Sequence, residues 1–306
     1  MAPHLVVGVD GSPYGDAALR YAVTYAQRCG WGLHLVHVAA AGPPGRYPGD
    51  ACGAGPDLGA LVAQVRAAAP ELAVQARVLP GHPAGALIGE SAGAAGVVLG
   101  ARGGHGVPGH RLGAVSAQVA LHAHGPVTVV PLRPSPAGPV VVGVDGPRQA
   151  GFALWYAMGA AARYGTELVA VHAWRPPTPA RPRRSVPDAR AFAAAQRARR
   201  GYLDRELARW CRVFPEVEVQ ARLLPGEPAA TLLAASTRAR LLVIGVRDIR
   251  AGRDPGAVPV GLRILDQAPC PVVLAHPGPP AAAPAPAGPD RPGRAGPDCP
   301  GLTVRA

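Results

Sequence analysis

Leu5-Val6-Val7-Gly8-Val9-Asp10-Gly11-Ser12 returns further along the same chain as Val140-Val141-Val142-Gly143-Val144-Asp145-Gly146-Pro147. In both copies a short apolar run rich in β-branched residues breaks at Gly-Val-Asp-Gly, the pattern of a buried strand ending in a turn. The echo continues in order. Leu33-His34-Leu35-Val36-His37-Val38 matches Leu168-Val169-Ala170-Val171-His172-Ala173, and the stretch from Val74 to Ala84 matches that from Val219 to Ala229. Gly96-Val97-Val98-Leu99-Gly100 then matches the run ending at Gly245, and Gly125-Pro126-Val127-Thr128-Val129-Val130 matches Cys270-Pro271-Val272-Val273-Leu274. Five blocks repeated in one order mean two copies of one supersecondary unit. Continuously apolar runs suit strands covered on both faces, as in a parallel sheet. Alanine-rich helical segments separate them: Ala17 to Cys29, Leu58 to Ala69, Gly85 to Ala92 and Ala114 to His122.

The alternation predicts an α/β chain of two tandem doubly wound domains, each with a five-stranded parallel sheet and ligand at the carboxyl ends of the strands. The expected boundaries are 1–134 and 138–277, joined through the proline-rich stretch from Pro131 to Pro139. Residues 278–306, mostly Pro, Ala and Gly, read as a disordered tail with little to bury. The apolar last strands, Val127 to Val130 and Val272 to Leu274, are candidate edges for pairing of domains, or of subunits in a homodimer.

Composition narrows the chemistry. The 306 residues are 48% hydrophobic, enough for two real cores. All 31 basic residues are arginine, so no lysine exists for a Walker-type phosphate contact or a Schiff base. A net charge of +12 would suit a polyanion partner. The arginines are scattered, however, with one denser group at Arg181, Arg183, Arg184, Arg197, Arg199 and Arg200, and aromatics make up only 5%. A solvated arginine-rich surface is the better reading, with no nucleic-acid partner. The five cysteines form no C-x-x-C, which points to free thiols rather than zinc or a disulfide framework. His105, His110, His122 and His124 read as solvated or capping residues, and no metal site is expected. With no secretory signal and no apolar run long enough to span a bilayer, the expected location is the cytoplasm, away from membranes.

Three strand ends could converge in the first copy. Asp10, Val38 and Gly100 close the first, second and fourth strands and would border the crevice where strand order reverses. An ionised Asp10 offers only acceptor sites, which suits ribose hydroxyls. The backbone at Val38 could satisfy a base edge. Gly100, Gly103 and Gly113 fit G-x-x-G-x9-G, and they let the chain approach phosphate closely. The amides of Ala114, Val115 and Ser116 would open a helix there, and Arg102 and Arg111 could add charge. In a chain with 40 glycines the pattern alone is close to a chance event, and its place in the repeat carries the weight. Asp10 before Gly11-Ser12 is also a turn and helix-cap signal.

Taken together, these segments resemble the universal stress protein family over residues 4 to about 277. The resemblance implies tandem Rossmann-like domains with ATP, with or without Mg2+, in the first. It implies ATP contacts from Asp10, Gly11, Ser12, Val38, Gly100, Gly103, Gly113 and the amides that follow. Ala114 departs from it, standing where the family has Ser or Thr. The second copy departs further. Pro147 removes a backbone donor, Asp248 and Val258 replace the second and third glycines, and Gly261 replaces the serine. The implied function is a stress-response sensor or regulator that holds ATP in its first half, hydrolysing it slowly at most. An ATP-using transferase on a similar fold and a nucleotide-free interaction scaffold stay open beside it.

Overall fold

The computed structural model describes residues 2–39, 55–103, 111–135, 137–145, 147–175, 189–246, 260–276 and 302–304. His4–Gly8 forms β1 and turns through Gly11, whose φ of +76° is a left-handed conformation that glycine adopts without penalty. Ser12 then caps α1 (Pro13–Cys29): its Oγ accepts the Gly15 N–H at 3.1 Å, and proline occupies the first helical position. The helix therefore begins at Pro13, ahead of the expected Ala17. The same rule starts α3 at Pro83 rather than Gly85. The first half runs on through β2 (Gly32–Ala39), α2 (Leu58–Ala68), β3 (Val74–Pro80), α3 (Pro83–Ser91), β4 (Gly96–Gly100), α4 (Ala114–His122) and β5 (Val127–Val130).

The second half repeats this series as β6 (Val140–Gly143), α5 (Pro147–Tyr164), β7 (Leu168–Trp174), α6 (Ala189–Cys211), β8 (Val219–Pro225), α7 (Pro228–Ala235), β9 (Leu241–Gly245), α8 (Val260–Gln267) and β10 (Val272–Ala275). The stretch read as a tail ends in a further strand, β11 (Leu302–Val304), which pairs in parallel with β8. The open edge of β8 offers unpaired backbone groups, and Leu-Thr-Val suits a strand. The rest of that stretch, with Cys299, lies outside the described residues, as do Cys52 and the denser group's Arg181, Arg183 and Arg184.

The last strands of the two halves, read as candidate edges for pairing of domains, pair with each other. One eleven-stranded sheet runs β11-β8-β7-β6-β9-β10-β5-β4-β1-β2-β3. All its pairings are parallel except β5 with β10, where the halves meet. Val127 faces Leu274, Thr128 faces Val273 and Val129 faces Val272. Repeat equivalents are thus exchanged across the join, the self-complementary pattern of a two-fold interface built inside one chain. The reason lies in burial. Both strands are buried along their whole length, and an apolar edge of that kind must pair. Because the two edges satisfy each other, a homodimer would have to use another surface.

The join also organises the core. On one face of the sheet, a single cluster runs through both halves, from Val6, Val97 and Val129 to Val141, Leu242 and Val272, under residues of α3, α4, α7 and α8. On the other face, each half has its own cluster, with Tyr21, Tyr156 and Tyr164 packed against both. Each fully buried valine or leucine contributes about 1.5–3 kcal/mol. Burial pushes the Tyr156 phenol up to about 12, despite hydrogen bonding to Tyr25 and Thr128. Among the described residues, no helix is long and apolar enough to cross a membrane.

His276, just past β10, reaches across the join and meets the Ala120 carbonyl of α4 through Nε2 at 2.8 Å. A carbonyl only accepts, so Nε2 carries the proton and donates. Burial holds this histidine below its ordinary value of 6.5; the Ala120 bond opposes that, and His122 and His124 reinforce it. The unfolded chain therefore binds the proton first as pH falls, and the stability present above about pH 6.5 is lost below it. His34 is shifted in the same direction, chiefly by burial. The thermal midpoint is expected to fall between about pH 7 and pH 5. His276→Gln, which keeps a donor, should flatten that fall without removing it. Calorimetry across the range checks this, and an equal slope in the variant would refute it.

Candidate functional site

Strand order reverses at β1, which has β2 on one side and β4 on the other. A crevice opens at the carboxyl ends of strands at such a switch point. Here it is a cavity of about 350 Å³, within the size range of small-molecule sites. Of the expected residues, Asp10, Val38, Gly100, Arg102, Gly103, Gly113, Ala114, Val115 and Ser116 line it. Pro83 and Leu87 of α3 supply an apolar wall.

Gly11 and Ser12 are not among the lining residues. Ser12 is buried, its Oγ taken up by the Gly15 N–H, while its own N–H donates to Asp10 Oδ1 at 3.0 Å. Gly11 makes the turn between them. Both residues aim the Asp10 carboxylate, the part that the cap signal in the sequence allowed. Arg111 is described but does not line the cavity, and His105 and His110 lie outside the described residues.

The glycines matter through what approaches them. A Cβ on Gly100 would stand 2.7 Å from the backbone carbonyl of Tyr14, so β4 and the start of α1 touch at this point. A Cβ on Gly103 would stand 2.8 Å from Asp10 Oδ2, so the loop backbone lies against the carboxylate. The Gly113 N–H donates to the Ala101 carbonyl at 2.8 Å, and Ser116 Oγ donates to the Gly100 carbonyl at 2.7 Å. Both bonds tie the start of α4 to the end of β4.

Helix α4, like α3 after His82, starts without a side-chain cap. Side chains cap α1, α2 and α7, from Ser12, Asp57 and Glu227. The cap position of α4 is Gly113, and no side chain caps it. The first N–H groups of a helix have no partner within it and carry the positive end of its dipole. At α4 these belong to Ala114, Val115 and Ser116, all lining the cavity. With Arg102 beside them, they form a site suited to an anion.

His37 also lines the cavity and was missed in the sequence. Its Nδ1 donates to the Val9 carbonyl at 2.9 Å, and its Nε2 lies toward Gly55. The repeat held the signal: His172 occupies the same place and meets the Val144 carbonyl at 2.6 Å. Here the halves diverge. His172 is only 2% exposed, with its Nε2 buried and unpartnered. The ring of Tyr202, on α6, lies 5.9 Å away. Burial pushes the Tyr202 phenol up to about 12, with the charges of Glu206 and Asp145 adding to it. A tyrosine ring therefore stands near His172, where His37 of the first half faces the cavity. Gly261, at the serine position, opens α8 without a hydroxyl. Asp248 and Val258 lie outside the described residues. The described cysteines, Cys29, Cys211 and Cys270, form no disulfide with one another.

A family model described as the universal stress protein family matches residues 1–131 and 137–276. Universal stress protein Rv1996 of Mycobacterium tuberculosis is 34% identical over 268 residues, covering 79% of this chain and 84% of that protein. Universal stress protein Rv2623 of the same organism is 30% identical over 298 residues, covering 89% and 96%. The crystal structure of a universal stress protein from Archaeoglobus fulgidus covers 90% of this chain and 98% of its own, with a TM-score of 0.60 at 18% identity, a likeness of fold alone. A structure from Archaeoglobus fulgidus in complex with dAMP covers 46% of this chain with a TM-score of 0.32. Its ligand is a property of that protein.

Gly100→Ala is expected to force Tyr14 away from β4, because the obstacle is backbone and cannot rotate aside. Overpacking of this kind costs about 1–3 kcal/mol and lowers the thermal midpoint by several degrees. Gly113→Ala meets nothing closer than 3.5 Å and should keep the parent midpoint within about a degree. Thermal unfolding of the two variants side by side checks the contrast.

Proposed function

This chain belongs to the universal stress protein family, and on that premise we propose that its first half binds ATP and that the protein acts as a nucleotide-dependent regulator of the stress response. The observation that carries this reading is the side-chain-free start of α4, opening on the same cavity as Asp10. Phosphates fit the amides of Ala114, Val115 and Ser116, with Arg102 supplying charge. Ribose hydroxyls fit the Asp10 carboxylate, a pure acceptor held by the Ser12 N–H. The base fits the backbone at Val38 and the apolar wall of Pro83 and Leu87. Because Ser116 spends its hydroxyl proton on Gly100 and Ala114 has none, phosphate recognition rests on backbone N–H groups. Among the described residues, Asp10 is the one carboxylate lining the cavity, so Mg2+ would enter chiefly on the phosphates themselves.

The second half is proposed to hold no ATP. Tyr202 stands near His172, and Pro147 has no N–H where Ser12 donates to Asp10. Described cysteines outside any disulfide fit a reducing compartment, and the proposed location is the cytoplasm. The role is binding rather than turnover, because most of the lining is glycine backbone and apolar side chain.

Mass spectrometry of nucleotide released from the purified protein, with thermal shift in millimolar ATP, tests the proposal. At 100 times its dissociation constant a ligand stabilises by about 2.7 kcal/mol. Gly113→Asp should abolish the shift while leaving the ligand-free midpoint unchanged or raised. An aspartate at this position caps the helix and repels phosphate, and its Cβ has room. No released nucleotide together with no shift in the parent would overturn the reading.

A further inference from the structure

The start of α4 is held from outside its own half. Asp266, near the end of α8, accepts two backbone N–H groups through Oδ1, from Arg111 at 2.9 Å and Leu112 at 3.0 Å. These residues immediately precede Gly113, the cap position of α4. We propose that Asp266 is a positioning residue: the second half sets the geometry of the first half's phosphate loop through this carboxylate. The proposal rests on the nucleotide reading above.

The anchor is rigid at its base. Ile264 and Leu265, the two residues before Asp266, are buried in the core cluster common to both halves, with Val119 and Ala120 of α4. Among the described residues, the loop is therefore tied at three places, to the Ala101 carbonyl, to the Gly100 carbonyl and to Asp266. The first two ties come from β4, and only the third crosses the join.

The amide inventory sharpens the consequence. Arg111 and Leu112 donate to Asp266, and Gly113 donates to Ala101. Those three N–H groups are withdrawn from phosphate, which leaves the first turn of α4 to receive it. The arrangement is also one-way. Counting back from β10 and β5, Leu121 is the α4 residue equivalent to Asp266, and its side chain has no acceptor to offer the second half. The half with the altered loop thus braces the half with the intact one. A carboxylate beside a phosphate site is electrostatically adverse, so its service there is the acceptor and not the charge.

Two variants separate these roles. Asp266→Ala removes the acceptor, and Asp266→Asn keeps an oxygen in place while removing the charge. In ligand-free protein, amide exchange at Arg111 and Leu112 should rise at least about tenfold in Asp266→Ala and stay near the parent rate in Asp266→Asn. ATP affinity should fall about tenfold in the alanine variant, within the usual range of coupling between sites, and change less than about threefold in the asparagine variant. By reciprocity, ATP should slow exchange in the last turn of α8 in the parent. Unchanged exchange at Arg111 and Leu112 in Asp266→Ala would overturn the proposal. So would faster exchange with unaltered affinity, or an equal loss of affinity in both variants. If the parent binds no ATP, the nucleotide reading falls by itself, and the ligand-free exchange still decides whether Asp266 holds the loop.

Discussion

The antiparallel pairing of β5 with β10 is the constraint on which the rest of the molecule depends. Both are four-residue strands without an exposed position, and each would otherwise leave an apolar edge unpaired. Pairing them turns two repeats into one sheet. It also brings α4 and α8 to the same side of that sheet, over one core. The contacts on this side of the join follow from that register: the shared valine core, the Ala120–His276 bond, and the Asp266 carboxylate on the loop before α4.

The site is built mainly from backbone. Its anion-binding character comes from a helix whose cap residue has no side chain, and its shape from glycines that allow β4 to touch α1 and the loop to touch Asp10. Such a site leaves few side-chain marks in a sequence. A glycine-spacing pattern is nearly uninformative in a chain with 40 glycines, and it gains meaning only at the end of a repeated strand. The same economy explains how one copy can lose the geometry while keeping the fold. Tyr202, near His172, packs against the second half's own cluster and leaves its strands in place.

Much of the architecture was legible because parallel strands buried on both faces must be apolar without interruption, and the repeat marked each of them twice. Helix starts were less legible where Pro13 and Pro83 open a helix ahead of its apolar face. At the site, the residues flanking the strand ends converged, whereas Gly11 and Ser12 turned to aiming Asp10. The motif does not say which atoms a serine spends on its own helix. His37 was hidden in plain view, since a histidine inside an apolar strand reads as core until its partner and its cavity are seen. The strand at Leu302–Val304 was invisible for a different reason. Three residues carry no periodicity, and only the open edge of β8 gives them a place.

The sequence by itself determined the repeated α/β unit, the order of its elements, and the strand ends around which a ligand could gather. Those features depend on local polarity and on glycine and proline, which act within a few residues. Tertiary structure alone decided the register in which the two halves pair, that the cavity is framed by an uncapped helix, and that a carboxylate from the far half holds the loop in front of it. Each of these is a pairing between residues far apart in the chain. Their identities permit such pairings, but only the register of β5 against β10 places the partners within hydrogen-bonding distance.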